Sequence, residues 1–199
     1  MKNLLSRKPS SFFLFFCFNL TFCYGIEKAP QKPQLLKILF LGHSNTGKTM
    51  MIKSLLGEEF SELSFPTIGI DIRSKILEGA KRIEFKLCEI SSYKRDSSLR
   101  RFYLEQADGV VLLYDVNNRE SFANLSEWLT EINRKPFVLF GNKADKGEKA
   151  REVSKEEALA FARQQDCPYY EGSMKEGFSV DHFLFELSQH CLETNRVIH

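Results

Sequence analysis

The stretch Gly42-His43-Ser44-Asn45-Thr46-Gly47-Lys48-Thr49 lies between an apolar run, Leu35–Leu41, and a segment with helical spacing, Lys48–Leu56. It fits the pattern GxxxxGK[ST] in the order that a strand, a turn and a helix require. Such a turn lets backbone N–H groups converge on phosphate oxygens, and the helix start adds a favourable dipole. In this reading Gly42 through Gly47 line the phosphates, Lys48 reaches the β- and γ-phosphates, and the Thr49 hydroxyl ligates Mg²⁺. The loop by itself names neither a base nor a reaction.

Working outward, the rest of the chain supplies the sheet this turn needs. Gly109–Tyr114 and Pro136–Phe140 are continuous apolar runs, the mark of strands covered on both faces. Ile70–Leu77 and Arg82–Leu87 read as a hairpin around Glu78–Gly79. Ser121–Ile132 carries Phe122, Leu125, Trp128, Leu129 and Ile132 on one helical face. Ser154–Gln165 opens on Ser154 with Glu157 three residues later, a capping-box signature. Val180–Leu192 is a last amphipathic helix. Strands alternating with helices predict a three-layer α/β domain of the P-loop type. Its sheet is expected to be mostly parallel.

The base follows from a second cluster. Asn142-Lys143-Ala144-Asp145 directly follows the run 136–140, at the carboxyl end of a strand, where ligands bind in such sheets. A carboxylate there accepts two hydrogen bonds from the N1 and 2-amino edge of guanine, and adenine lacks those donors. Asp145 therefore selects guanine, and Ser173-Met174-Lys175, ahead of the last helix, can complete the pocket. An ATPase or small-molecule kinase reading is disfavoured by Asp145 and by the lack of a lid-type arginine cluster.

These motifs, in this order, resemble the Ras superfamily of small GTPases, most closely its Rab branch, over roughly residues 35–193. Phe65-Pro66-Thr67-Ile68-Gly69-Ile70-Asp71 resembles the segment around the first switch. Ala107-Asp108-Gly109-Val110, Tyr114-Asp115-Val116, Glu120-Ser121-Phe122 and Trp128-Leu129 are also similar to the Rab pattern. The resemblance implies that Thr67 binds Mg²⁺ when the γ-phosphate is present, and that Phe60 lies against the guanine. It implies six strands with one antiparallel, and a Rab-like switch in membrane traffic that takes GTP or GDP with Mg²⁺. Effectors, exchange factors and GTPase-activating proteins would meet it through residues 58–71 and 89–103, and the protein would be a monomer.

The departures are as informative as the matches. The family's Asp-x-x-Gly-Gln falls on Glu89-Ile90-Ser91-Ser92-Tyr93. Glu89 keeps a carboxylate, expected to hold Mg²⁺ through a water, but is one methylene longer. Ser92 adds a Cβ where the family has glycine. Tyr93 replaces the glutamine that orients the attacking water, and a phenol cannot accept and donate as a carboxamide does. Slow GTP hydrolysis follows from the loss of nucleophile positioning. A second reading is a pseudo-GTPase scaffold fixed in one nucleotide state; Glu89, Ser92 and Tyr93 favour it, while the loop, Thr67 and Asp145 oppose it.

Composition sets the remaining bounds. The chain has 199 residues, 43% of them apolar and 27% charged, which suits one domain with a real core. Residues 1–34 carry a net +4 and the rest a net −2, so the body is a poor phosphate-neutralising surface for nucleic acid. From Phe12 to Tyr24 eleven of thirteen residues are apolar, after Lys2, Arg7 and Lys8. That length is short of the ~20 residues of a spanning helix. A cleaved secretory signal, a short membrane anchor and an extension outside the working protein all fit it. Residues 1–34 are expected to form this leader and a linker, residues 35–193 the domain, and residues 194–199 a short tail. Location is expected at the cytoplasmic face of endomembranes, or in the secretory pathway if residues 1–25 act as a signal. Five scattered cysteines show no metal-ligand spacing, and Cys191, eight residues from the end, offers no prenylation motif.

Overall fold

A computed structural model describes residues 32–59, 61, 67–79, 81–90, 97–133, 135–176 and 179–198. Six strands form one sheet: β1 Gln34–Leu41, β2 Ile70–Leu77, β3 Ile83–Ile90, β4 Gly109–Asp115, β5 Phe137–Asn142 and β6 Tyr169–Glu171. Their spatial order is β2-β3-β1-β4-β5-β6. Only the β2–β3 pair runs antiparallel, Ile70 opposite Ile90 and Leu77 opposite Ile83; β1 pairs in parallel with β3 and β4, and β5 with β4 and β6. The six mostly parallel strands that were expected, with a single antiparallel member, are present. The strand expected at Arg82–Leu87 starts at Ile83 and runs on to Ile90, so that Glu89 lies within the ladder.

The helices are α1 Lys48–Leu55, α2 Ser97–Gln106, α3 Arg119–Ala123, α4 Leu125–Ile132, α5 Lys155–Gln164 and α6 Val180–Ile198. One face of the sheet packs Ile38, Phe40, Phe85, Leu87, Val111 and Phe140 against Met51 and Leu55 of α1 and Phe183, Leu184 and Leu187 of α6. The other packs Leu39, Leu41, Val110, Leu112, Tyr114 and Leu139 against Leu104, Phe122, Leu125, Ile132 and Ala158. All seven residues of β4 are buried, which is why its sequence shows no polar alternation.

Three expectations need correction. The single helix expected over Ser121–Ile132 is two, α3 and α4, meeting at Asn124. The first begins early, at Arg119, because the Asn118 side chain caps it by accepting from Ser121 N at 2.9 Å. The last helix, expected to end at Leu192, continues to Ile198. At α5 the Ser154 hydroxyl accepts from Glu157 N as expected, but the Glu157 carboxylate pairs with Arg119 on α3 rather than returning to the cap.

Helix α2 carries few apolar anchors and is held by charge. Arg100 is buried, forks onto Glu131 of α4 at 2.6 and 3.0 Å, and stacks 5.0 Å from the Trp128 ring. Cys191 is fully buried on α6, and its Sγ fills the space over Gly109, where a Cβ would come within 2.2 Å. Burial pushes that thiol up to about 12, the state of a core residue. No described helix is long and apolar enough to cross a membrane.

Candidate functional site

The 42–49 turn leaves the end of β1 and enters α1 through Gly47. Two glycines make this path possible. Gly42 has φ +140, and a Cβ on it would lie 2.1 Å from the Leu113 carbonyl oxygen; Gly47 has φ +95, and a Cβ would lie 2.3 Å from Asn142 Nδ2. No side chain caps α1 and its first turn holds no acidic residue, so the positive end of the helix suits an anion. Lys48 is 6% exposed, and its ammonium donates to the Gly42 and His43 carbonyls at 3.0 and 2.9 Å. Burial lowers its pKa to about 8, although Glu89 opposes the shift. A buried cation spanning a turn of amides is a polyphosphate cradle in its chemistry.

The carboxyl end of β5 is bound to this turn through side chains. Asn142 Nδ2 donates to the Thr46 carbonyl at 2.9 Å, and Asn142 Oδ1 accepts from Lys143 N at 2.8 Å. Lys143 Nζ donates to the Asn45 carbonyl at 2.6 Å and pairs with Asp115 Oδ2 at 2.9 Å. Asn117 continues the network, donating to the Lys143 carbonyl and to Asp115 Oδ1. Two of the expected base-side residues, Asn142 and Lys143, therefore bridge the loop. Asp145 follows on a 3-10 turn, Ala144–Lys146, half-buried and without a hydrogen-bond partner among the described residues. Ser173 and Met174 are buried, the Ser173 hydroxyl accepting from Lys175 N at 3.1 Å, with Lys175 exposed. Asp115 and Asn117 were not singled out from the sequence as site residues. The available signal was register: Asp115 ends β4 directly opposite Asn142 at the end of β5.

The third group lies where β3 ends. Glu89 is 3% exposed; its Oε1 accepts from Thr49 Oγ1 at 2.9 Å, and Thr49 Oγ1 lies 3.3 Å from Thr67 Oγ1. Burial raises the pKa of Glu89, opposed by the Thr49 hydrogen bond and the Lys48 charge. Its Oε2 is buried with no partner. An all-oxygen set of two hydroxyls and a carboxylate, one oxygen of it orphaned, suits a hard cation such as Mg²⁺. Among the described residues no cluster of three His, Cys, Asp or Glu offers a softer metal a cage. Phe60, Ser92 and Tyr93 lie outside the described residues.

Comparison with known proteins agrees with this geometry. A profile described as the Ras family matches residues 37–193. Ras-related protein RABC1 of Arabidopsis thaliana is 36% identical over 173 residues, covering 83% of this chain and 81% of that one. The Ypt/Rab-type GTPase ypt7 of Schizosaccharomyces pombe is 36% identical over 176 residues, 83% of this chain and 86% of its own. Ras-related protein Rab7 of Prunus armeniaca is 36% identical over 165 residues, 77% and 80% of the two chains. With the loop, the six-strand order and relatives of this kind, the chain belongs to the Ras family of small GTPases, among proteins of Rab type.

Proposed function

We propose that this chain is a Rab-like switch of vesicle and membrane traffic that binds GTP and GDP with Mg²⁺ and hydrolyses GTP slowly by itself. The observation that carries the reading is one of position. A buried ammonium spans an uncapped helix start, and a half-buried carboxylate without a described partner follows the strand end bridged to that turn. The first is charge for phosphates; the second matches the donor edge of guanine.

Each residue has a role in this reading. Lys48 neutralises the phosphates, and Gly42, His43, Ser44, Asn45, Thr46 and Gly47 wrap them with main chain. Asp145 reads guanine, with Phe60, Ser173, Met174 and Lys175 closing the pocket, while Asn142 and Lys143 fix the turn against β5. Thr49, Thr67 and Glu89 hold the metal, and Thr67 does so only with a triphosphate. Mg²⁺, when bound, neutralises charge on the phosphates during transfer to water. Tyr93 leaves the attacking water poorly oriented, which is the ground for slow turnover.

Apolar side chains close to the first switch support a protein partner there. Ile68 is 87% and Ile72 46% exposed, and a cavity of about 260 Å³ lies between Ile72, Cys88 and Tyr103. Effectors and regulators meet residues 58–71 and 89–103, and residues 12–24 supply membrane attachment at the cytoplasmic face of endomembranes. Residues 1–34 fused to a fluorescent reporter should then leave the diffuse pool; a diffuse signal removes the anchor.

Single-turnover GTP hydrolysis tests the catalytic part. The full chain should turn over slowly, and Tyr93→Gln should raise the rate about tenfold or more. A wild-type rate already as fast as that of Rab proteins carrying the glutamine contradicts the reading.

A further inference from the structure

We propose that Glu89 ligates the divalent cation directly through its own carboxylate oxygen, in place of the water-mediated hold that the family resemblance implies. The inference rests on the guanine-nucleotide and Mg²⁺ reading above and sharpens it at one ligand.

The first ground is that the backbone at Glu89 cannot retreat. β3 is an interior strand, and Glu89 is paired on both sides, with Phe40 of β1 in parallel and Asp71 of β2 in antiparallel register. A side chain one methylene longer than aspartate must deliver its additional ~1.5 Å at the far end. That end points to α1, since Oε1 already lies 2.9 Å from Thr49 Oγ1.

The second ground is the spacing of the oxygens. Mg²⁺ demands near-octahedral geometry with bonds of about 2.0–2.1 Å, so neighbouring ligand oxygens stand about 2.9 Å apart. Glu89 Oε1 to Thr49 Oγ1 is 2.9 Å, and Thr49 Oγ1 to Thr67 Oγ1 is 3.3 Å. The Glu89–Thr49 separation equals that ligand-to-ligand edge and the Thr49–Thr67 separation exceeds it by about 0.4 Å, so Thr49 stands between two oxygens near the spacing a shared cation requires.

The third ground is the orphaned atom. Glu89 is 3% exposed and its Oε2 has no hydrogen-bond partner. Lys48, the cation whose charge it feels, donates to the Gly42 and His43 carbonyls. A buried carboxylate in this position gains more from a cation at its own oxygen than from one across a water.

Counting the waters on the metal tests this. Mn²⁺ is substituted for Mg²⁺ in the GDP complex of the full chain, and electron paramagnetic resonance line broadening in ¹⁷O-enriched water reports the number of bound waters. One diphosphate oxygen, Thr49 and Glu89 leave three waters in an octahedral sphere, and Glu89→Asp should restore the fourth. Four waters in the wild type, or three in both proteins, overturns direct ligation. Should Glu89→Asp fail to fold, the wild-type count decides alone. Absence of any GDP-dependent Mn²⁺ binding overturns the nucleotide reading itself, an outcome distinct from a wrong water count.

Discussion

At the carboxyl end of β5 the polar side chains of Asn142 and Lys143 are tied to protein, whereas at the end of β3 a buried carboxylate oxygen of Glu89 has no partner. Both ends face the same turn, yet they are completed differently. The β5 end is preorganised by the chain itself, its polar side chains already partnered. The β3 end holds hydroxyls and a carboxylate close together with one carboxylate oxygen left unpartnered, and a cation would finish it. In the sequence, the departures from the pattern that the resemblance implies, Glu89, Ser92 and Tyr93, fall in and just after that strand, while residues 42–49 and 142–145 keep it.

That contrast can be broken from either side. The largest effect is expected at Asp145. If Asp145 reads guanine as proposed, Asp145→Asn removes two charge-assisted hydrogen bonds, and GDP affinity should fall roughly 100- to 1,000-fold by calorimetry with the melting temperature of the nucleotide-free protein unchanged. At the β3 end, chelating the metal should speed GDP release by about tenfold or more, measured with a fluorescent GDP analogue; an unchanged rate would mean that Thr49 and Glu89 hold no cation.

Gly47→Ala tests how tightly the turn and β5 are fitted. Its backbone has φ +95, and the new Cβ would meet Asn142 Nδ2 at 2.3 Å. The strain is worth about 1–3 kcal/mol, so GDP should bind about tenfold more weakly or worse and the melting temperature should drop by several degrees. A neutral result would separate the two segments.

The smallest effect belongs to a support outside the site. Arg151 forks onto Glu171 of β6 at 2.7 and 3.1 Å, and Tyr169 donates to the same carboxylate. Burial pushes the Glu171 carboxyl up, but these partners outweigh it and hold it below the ordinary value. A lowered folded-state pKa contributes stability above the unfolded carboxyl value and loses it as pH falls. Arg151→Met should therefore cost about 1 kcal/mol at neutral pH and flatten the loss of stability below about pH 4.5, followed by urea unfolding. An equal loss at every pH would assign Arg151 to packing alone.

Where the sequence was legible, the cause was burial. β1, β4 and β5 read as strands because both faces are covered, and the glycine pattern read as a phosphate turn because backbone geometry demands it. Helix α2 was not legible: Ser97–Gln106 has few apolar anchors, and the Arg100–Glu131 pair and the Trp128 stack that hold it join residues far apart in sequence. Strand β6 is three half-buried residues, specified by pairing with Leu139–Gly141 rather than by its own pattern. In the site, Gly42–Thr49 and 142–145 were legible as motifs. The Lys143–Asp115–Asn117 bridge was not, because it depends on the register of β4 against β5.

The claim beneath all of this is that one end of the sheet joins a phosphate-binding turn to a carboxylate that chooses guanine. Titrating the full, nucleotide-stripped chain with GDP and with ADP at saturating Mg²⁺ measures it directly. GDP should bind at least about 100-fold more tightly than ADP; equal affinities for the two diphosphates would contradict the account.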